Sequence, residues 1–240
     1  MTEKQLALVT GAARRLGKAF AMTLARRGFA IALHYRHSAQ EAMSAANEIR
    51  KLGVPAYLLR ADLKDPKKIP HLFSIIDELD EPLKIVVNSA AIMPAANPVE
   101  LSVRDWDEAF DLNLRAPFFL AQEAAKRMES GLIVNVSDVG AQKAWSRYPS
   151  YTVSKSAVES LTKMLARAFA PSIRVNAIAP GLVLQSDVVS PEEWQRLIAR
   201  LPLKRSATLD EVTSVLEFLL ANEYITGQTI VVDGGYSLLG

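Results

Sequence analysis

Tyr151 and Lys155 lie four residues apart in a stretch of helical periodicity, so their side chains share one helix face, one turn apart. A phenol with a pKa near ~10 is a poor proton donor or acceptor at neutral pH unless its surroundings tune it. A neighbouring ammonium stabilises the phenolate and lowers that pKa, which is the basis of acid–base chemistry. Of the six tyrosines, only Tyr151 has a Lys at this spacing.

A second group of residues points to an anion. The strand-like Leu6–Thr10 runs into Gly11-Ala12-Ala13-Arg14-Arg15-Leu16-Gly17, and a helical pattern follows. Gly11 permits a tight turn, and Gly17 lets the helix pack closely on the strand. The N–H groups at the helix start then face a pyrophosphate, with Arg14 and Arg15 beside it. The G-x-G-x-x-G pattern is absent, so this loop alone says little. The next strand ends in His34-Tyr35-Arg36-His37-Ser38, without the carboxylate that bonds a ribose 2′-hydroxyl. Arg36 and Ser38, with His37 when protonated, suit a 2′-phosphate instead. The expected cofactor is NADPH.

These residues need a scaffold, and the hydrophobic pattern supplies one. Short runs rich in Val, Ile and Leu occur at Leu6–Thr10, Ala30–Tyr35, Ala56–Ala61, Lys84–Asn88, Leu132–Ser137, Ile173–Ile178 and Thr229–Val232. Helical patterns such as Leu16–Arg27, Ala39–Leu52, Trp106–Met128 and Val153–Ala168 lie between them. Near-continuous apolar strands fit a parallel sheet covered on both faces. Their alternation with helices predicts right-handed crossovers and an α/β, Rossmann-type, doubly wound domain, with a mostly parallel seven-stranded sheet. No linker-like or repeated tract divides the chain, so residues 1–240 are expected to form one domain. Residues 182–205 include an irregular apolar segment and an amphipathic stretch around Pro191–Arg200, and are expected to form a substrate lid.

Composition narrows the classes. Half of the 240 residues are hydrophobic and the formal net charge is +2, a profile unlike that of a nucleic-acid binder. Without cysteine there are no disulfides, thiolate metal sites or Cys nucleophiles, and no metal site is expected. No apolar run approaches the ~20 residues that span a bilayer, and no signal peptide is recognisable. The expectation is a soluble, cytoplasmic protein with a small-molecule substrate and no nucleic-acid or membrane partner.

Over essentially its whole length the chain resembles the short-chain dehydrogenase/reductases. The motifs run in the right order: Thr10–Gly17, Ala61-Asp62-Leu63, Asn88-Ser89-Ala90-Ala91, Asn113, Tyr151 with Lys155, Arg174-Val175-Asn176, Pro180-Gly181 and Asp233-Gly234-Gly235. The resemblance implies that Asp62, with Leu63, borders the adenine and that Asn88, Ser89 and Ala90 line the cofactor cleft. It implies that Pro180, Gly181 and Leu182 border the nicotinamide and that Lys155 holds its ribose. Asn113 would hold a water linking Lys155 to solvent. Family members usually assemble as tetramers through helices corresponding to Trp106–Met128 and Val153–Ala168, so a homotetramer is expected.

One position departs from the usual pattern. The family's catalytic Ser lies thirteen residues before the Tyr, where this chain has Asp138. The neighbouring Ser137 is expected on the opposite face by strand alternation. This exchange, with Arg15 in place of the usual middle glycine, is similar to the pteridine reductase branch, as are Leu33–Ser38 and Pro180-Gly181-Leu182. There the Arg reaches both pyrophosphate and pterin, and the Asp supports protonation by the Tyr. An anionic Asp138 raises the Tyr151 pKa while Lys155 lowers it, so the two acids are expected to titrate as a coupled unit. Met93, however, stands where the branch has an aromatic ring stacked on the pterin, and Tyr148, Trp145 and Trp194 are the remaining aromatic candidates. The leading expectation is hydride transfer to a dihydropteridine or dihydrofolate-like ring, with Arg15, Met93, Asp138, Tyr148 and Tyr151 at the substrate. The alternatives are a carbonyl reductase acting on a ketone such as a ketoacyl thioester, and a non-catalytic NADPH sensor. Loss of Tyr151 or Lys155 would mark the sensor, and both are present.

Overall fold

The computed structural model describes residues 4–143, 145–185 and 189–239. Seven strands form one sheet: β1 (Leu6–Val9), β2 (Ala30–Tyr35), β3 (Ala56–Arg60), β4 (Leu83–Asn88), β5 (Gly131–Val136), β6 (Ile173–Pro180) and β7 (Thr229–Val232). Their order is β3-β2-β1-β4-β5-β6-β7, and every neighbouring pair is parallel. The sheet is thus wholly parallel rather than mostly so. Strand order reverses between β1 and β4, which opens a crevice at their carboxyl ends.

The helices are α1 (Arg15–Arg26), α2 (Ala39–Arg50), α3 (Lys68–Ile76), α4 (Val103–Phe110), α5 (Ala116–Ala125), α6 (Pro149–Phe169), α7 (Pro191–Arg200) and α8 (Leu209–Ala221). Alternation along β1 explains why its sequence is apolar throughout. Ala7 and Val9 pack with Phe20, Leu24, Ile31 and Leu216 on one face, while Leu6 and Leu8 pack with Ile69, Phe73, Leu120 and Val175 on the other. None of the four β1 side chains is exposed.

The helical pattern expected to be continuous from Trp106 to Met128 is interrupted. Between α4 and α5 lies a π-helical turn, Asp111–Arg115. Pro117 has no N–H to offer the carbonyl of Asn113, four residues back, so the regular ladder cannot pass through. Elsewhere the ends follow local chemistry. Ser190 and Thr208 cap α7 and α8, the latter in a reciprocal capping box with Glu211. No helix among the described residues is long and apolar enough to cross a membrane.

Gly17 sets the approach of α1 to the sheet, because a Cβ there would lie 2.3 Å from the Gly11 carbonyl oxygen. Gly17→Ala is therefore expected to push α1 away from the β1 loop. Thermal unfolding should show a melting temperature lowered by about 4–8 °C; an unchanged melting temperature would mean that the loop yields without cost.

Candidate active site

Buried polar side chains hold the carboxyl ends of β1 and its neighbouring strands. Thr10 Oγ1 accepts the N–H groups of Ser89 (3.0 Å) and Ala90 (3.1 Å), joining the loop after β4 to the end of β1. His34 Nδ1 accepts from the Gly11 N–H at 3.2 Å, which leaves the proton on Nε2 to donate to the Ala61 carbonyl at 3.1 Å. Asn88 Nδ2 donates to Asn135 Oδ1 (2.8 Å), and Asn135 Nδ2 to Thr162 Oγ1 (2.9 Å). The Asn88 Oδ1 is buried without a donor.

These features fit a dinucleotide. Gly11, at φ +64, turns so closely that a Cβ would lie 3.0 Å from Ala90 Cα. Helix α1 opens at Arg14 with no side-chain cap and no acidic residue in its first turn, so its N–H groups and positive dipole end are left for an anion. Arg14 and Arg15 are exposed beside that turn, and Leu16 is half-buried. The buried, unpaired Asn88 Oδ1 sits at the carboxyl end of β4, where the sheet reverses.

Not every expected residue faces this cleft. His34 is buried and engages both ring nitrogens within the protein, so its side chain braces the loop and has no ring nitrogen left for the expected cofactor contact. The Leu63 side chain belongs to the core below α3 and α5. Tyr35 and Ser38 are half-buried, and His37 is exposed. Asp62 forms an ion pair with Arg36 (2.9 Å) and accepts the Lys64 N–H. Arg60, which the motif reading passed over, ends β3 with an exposed side chain whose Nε donates to the Arg36 carbonyl at 3.3 Å. It has no carboxylate partner among the described residues. Its signal in the sequence is a cation two residues before Asp62, on a strand otherwise apolar.

Tyr151 and Asp138 meet directly. The Tyr151 hydroxyl donates to Asp138 Oδ2 at 2.8 Å, and Asp138 Oδ1 accepts the Gly140 N–H at 2.7 Å. Burial raises the Asp138 pKa, while the Gly140 N–H, Tyr151 and Lys155 pull it back. Burial and then the Asp138 charge push Tyr151 well above the usual phenol range. Lys155 donates to the Val136 carbonyl at 2.6 Å, with Nζ 5.7 Å from the Tyr151 ring centre. Burial draws its pKa down to about 8, with Asp138 opposing. The expectation that Lys155 lowers the Tyr151 pKa is therefore corrected. The ammonium lies by the ring, while the hydroxyl turns to a carboxylate, so Tyr151 stays protonated. Ser137 also turns to α6, bonding the Lys155 carbonyl (3.4 Å) and Glu159 (3.2 Å). The expectation that Ser137 faces the opposite side is thus corrected: its hydroxyl also meets α6, but at Lys155 and Glu159 rather than at Tyr151.

Asn113 is buried in the π turn, its amide committed to both backbone groups of Ile92 (3.0 and 2.9 Å) and to Ser154 Oγ (3.0 Å). That amide fixes the loop leading to Met93, a residue 36% exposed. Of the aromatic candidates, Trp145 packs edge-on against Tyr148 and Tyr236, and Tyr148 is buried. Trp194 is half-buried on α7. The Gly181 N–H bonds Val232, and a Cβ on Gly181 would meet Asp233 Cα at 2.7 Å. Leu182 accepts the Ala207 N–H. Arg15 donates to the carbonyls of Leu184 and Gln185, both at 3.1 Å, tying the β1 loop to the expected lid; residues 186–188 of that lid lie outside the described residues.

A parallel sheet with a dinucleotide crevice, and a Tyr–Lys pair opposite it on α6, define an oxidoreductase. The family described as enoyl-(acyl carrier protein) reductase matches residues 11–237. FolM alternative dihydrofolate reductase 1 of Brucella suis, solved in complex with NADP, superposes with a TM-score of 0.94 at 37% identity, covering 100% of this chain and 98% of that one. The chain is 35% identical to 1-cyclohexenylcarbonyl-CoA reductase of Streptomyces collinus, over 98% of this chain and 88% of that protein. It is 32% identical to a 3-oxoacyl-[acyl-carrier-protein] reductase of Staphylococcus aureus, over 95% of this chain and 96% of that protein. The chain belongs to the short-chain dehydrogenase/reductase family.

Burial lowers the His34 pKa from 6.5 to about 4 despite the Ala61 and Asp62 contributions. The unfolded chain then binds the extra proton across that window, so stability is full above pH 6.5 and is lost as pH falls towards 4. Between pH 7 and 4.5 the wild type should lose about 2–3 kcal/mol more than His34→Gln in urea denaturation. Parallel losses in the two proteins would show that His34 is not the titrating group.

Proposed function

We propose that this chain is an NADPH-dependent reductase of a small planar substrate, a dihydropteridine or dihydrofolate-like ring. The carrying observation is the Tyr151–Asp138 hydrogen bond, which places a carboxylate where the family usually has a hydroxyl. When bound, NADPH supplies the hydride, and the protein must supply one proton to the ring nitrogen. Tyr151 and Asp138, both drawn towards their protonated forms by burial, hold that proton as a unit. Lys155, buried beside Tyr151, is placed to hold the nicotinamide ribose. The Asn113 carbonyl, which Pro117 cannot satisfy in the α pattern, suits a water leading to Lys155. Arg15, linked to the segment after β6, positions phosphate and substrate, with residues 182–205 as the lid. The similarity to an alternative dihydrofolate reductase supports the ring substrate.

The preference for NADPH rests on Arg36, Arg60 and the absence of a carboxylate at the end of β2. Arg36 shares its charge with Asp62, so Arg60 adds the uncompensated cation beside it. Arg60→Gln should weaken binding of 2′,5′-ADP about tenfold while leaving 5′-AMP within twofold. Equal losses for both ligands would assign Arg60 a structural role. The matching assembly is a homotetramer, supported by exposed Val103 and Trp106 on α4 and Val153 and Met164 on α6.

A ketone reductase is the second reading. It is favoured by the named activities of the two curated relatives and by Met93, exposed at the position where the resemblance expects a stacking ring. The decisive measurement is NADPH oxidation with 7,8-dihydrobiopterin, dihydromonapterin and dihydrofolate beside acetoacetyl thioesters and diketones. Turnover of the pteridines, reduced at least about a hundredfold in Tyr151→Phe and Asp138→Ala, is the expected result. Turnover of carbonyl compounds alone, or an Asp138→Ser variant with better ketone turnover and intact pteridine activity, would overturn it. NADPH binding without turnover of any compound would leave a sensor.

A further inference from the structure

Beside the catalytic centre, the loop after Met93 meets the residues that lead into α6. The Ala96 N–H donates to the Arg147 carbonyl at 3.0 Å. A shallow depression of about 420 Å³ opens at this junction, lined by Ala95, Ala96, Asn97, Pro98, Ser146 and Arg147. The chain passes from this depression directly into α6: Tyr148 is the N-cap residue of the helix, and the Thr152 N–H bonds the Tyr148 carbonyl. Arg147 lies just ahead of α6, four residues before the proton donor, and Ala95 on the other side of the opening is two residues from Met93.

Arg147 is held but not neutralised. Its guanidinium carbon lies 5.8 Å from the centre of the Tyr148 ring, which fixes the direction of the side chain. Its ion partner, Glu193 on the first turn of α7, stands off at 3.6 Å, with the two side chains 56% and 45% exposed. A pair so long and so wet contributes little to stability. A guanidinium, however, presents a planar fork that matches a carboxylate, and a bidentate contact would outcompete a single long one. Ala95, Ala96 and Pro98 offer a small-residue apolar wall against which a flat ring can lie.

We propose that this depression is a subsite for an aromatic tail ending in a carboxylate, the benzoyl-glutamate portion of a dihydrofolate, with Arg147 as its specificity-determining cation. The inference deepens the pteridine reading and rests on it. It separates substrates that share the ring but differ in the tail: a dihydrofolate carries the carboxylates, whereas dihydrobiopterin carries only a short neutral chain. Glu193 then acts as a stand-in anion on α7, displaced when the tail arrives.

The test compares KM for dihydrofolate and 7,8-dihydrobiopterin in the wild type, Arg147→Gln, Arg147→Lys and Glu193→Gln. Arg147→Gln should raise KM for dihydrofolate about tenfold with kcat unchanged, and leave dihydrobiopterin within twofold. Arg147→Lys should recover part of the loss, and Glu193→Gln should lower KM for dihydrofolate by removing the competing carboxylate. A purely structural Arg147 would shift both substrates together, and that result, or no shift at all, overturns the subsite while the pteridine reading stands. Calorimetric titration of the NADP-saturated protein with p-aminobenzoyl-glutamate needs no turnover. If no pteridine is reduced, binding of this probe by wild type but not Arg147→Gln upholds the subsite and discards the ring assignment. Absence of binding by wild type discards both.

Discussion

A buried phenol that donates to a buried carboxylate holds its proton more tightly, while the bond it gives eases the carboxylate's ionisation against the pull of burial. Tyr151 and Asp138 stand in that relation, and much of the surrounding structure serves to keep them there. The second Asp138 oxygen is taken by the Gly140 N–H, at the start of a short 3-10 turn. That turn is pressed between α6 and Trp145: Ser156 on α6 donates to the Ala141 carbonyl, and a Cβ on Gly140 would lie 2.7 Å from the Trp145 ring. Asp138 therefore has little freedom to swing away, and desolvation falls on a carboxylate whose position is already fixed. This bias keeps a proton on the pair at neutral pH, so one is in place when it is needed.

The cofactor cradle faces a different problem. Apolar packing positions strands and helices well, but loops at the strand ends have few side chains to pack. Here the loops are set by buried polar contacts: Thr10 to the β4 loop, His34 to Gly11 and Ala61, and the Asn88–Asn135–Thr162 chain between strands and α6. Each contact lies in low dielectric, where a satisfied bond is strong and an unsatisfied group is costly. The cradle is thus specified in direction as well as in distance, as expected of a surface that must match phosphates to within fractions of an ångström. The same logic singles out Asn88 Oδ1, the buried atom in this set left without a donor.

Strand and helix identities were legible because alternating faces of a parallel sheet leave unbroken apolar runs, as in Ala30–Tyr35 and Thr229–Val232. The Tyr151–Lys155 pair was legible from spacing within one helix, and the Asp138 exchange from the resemblance, which sets a serine thirteen residues before the Tyr. What spacing did not reveal was direction. His34 reads as one more polar residue at a strand end, and only the fold shows that β2 turns it inward, between Gly11 and Ala61. The break at Asp111–Arg115 has a visible cause in Pro117, yet the surrounding amphipathic pattern is strong enough to hide it. Arg60 and Arg147 become meaningful through neighbours distant in sequence: Arg36 for one, Ala96 and Glu193 for the other.

Arg15 shows how a local cost can indicate function. It adopts φ +53, a left-handed conformation that costs a non-glycine residue about 1 kcal/mol or more. A glycine, usual at this place in the family it belongs to, would relieve that strain without disturbing Gly11 or Gly17. The side chain recovers part of the cost through two bonds to the Leu184 and Gln185 carbonyls, but such exposed neutral contacts do not require a cation. Carbonyl oxygens orient a guanidinium and leave its charge intact. The residue is thereby held at the uncapped start of α1, between the crevice and the segment following β6, with no carboxylate partner among the described residues. Fold stability alone favours glycine here; the role proposed for this residue, shared between an anionic cofactor and the substrate beside it, favours arginine.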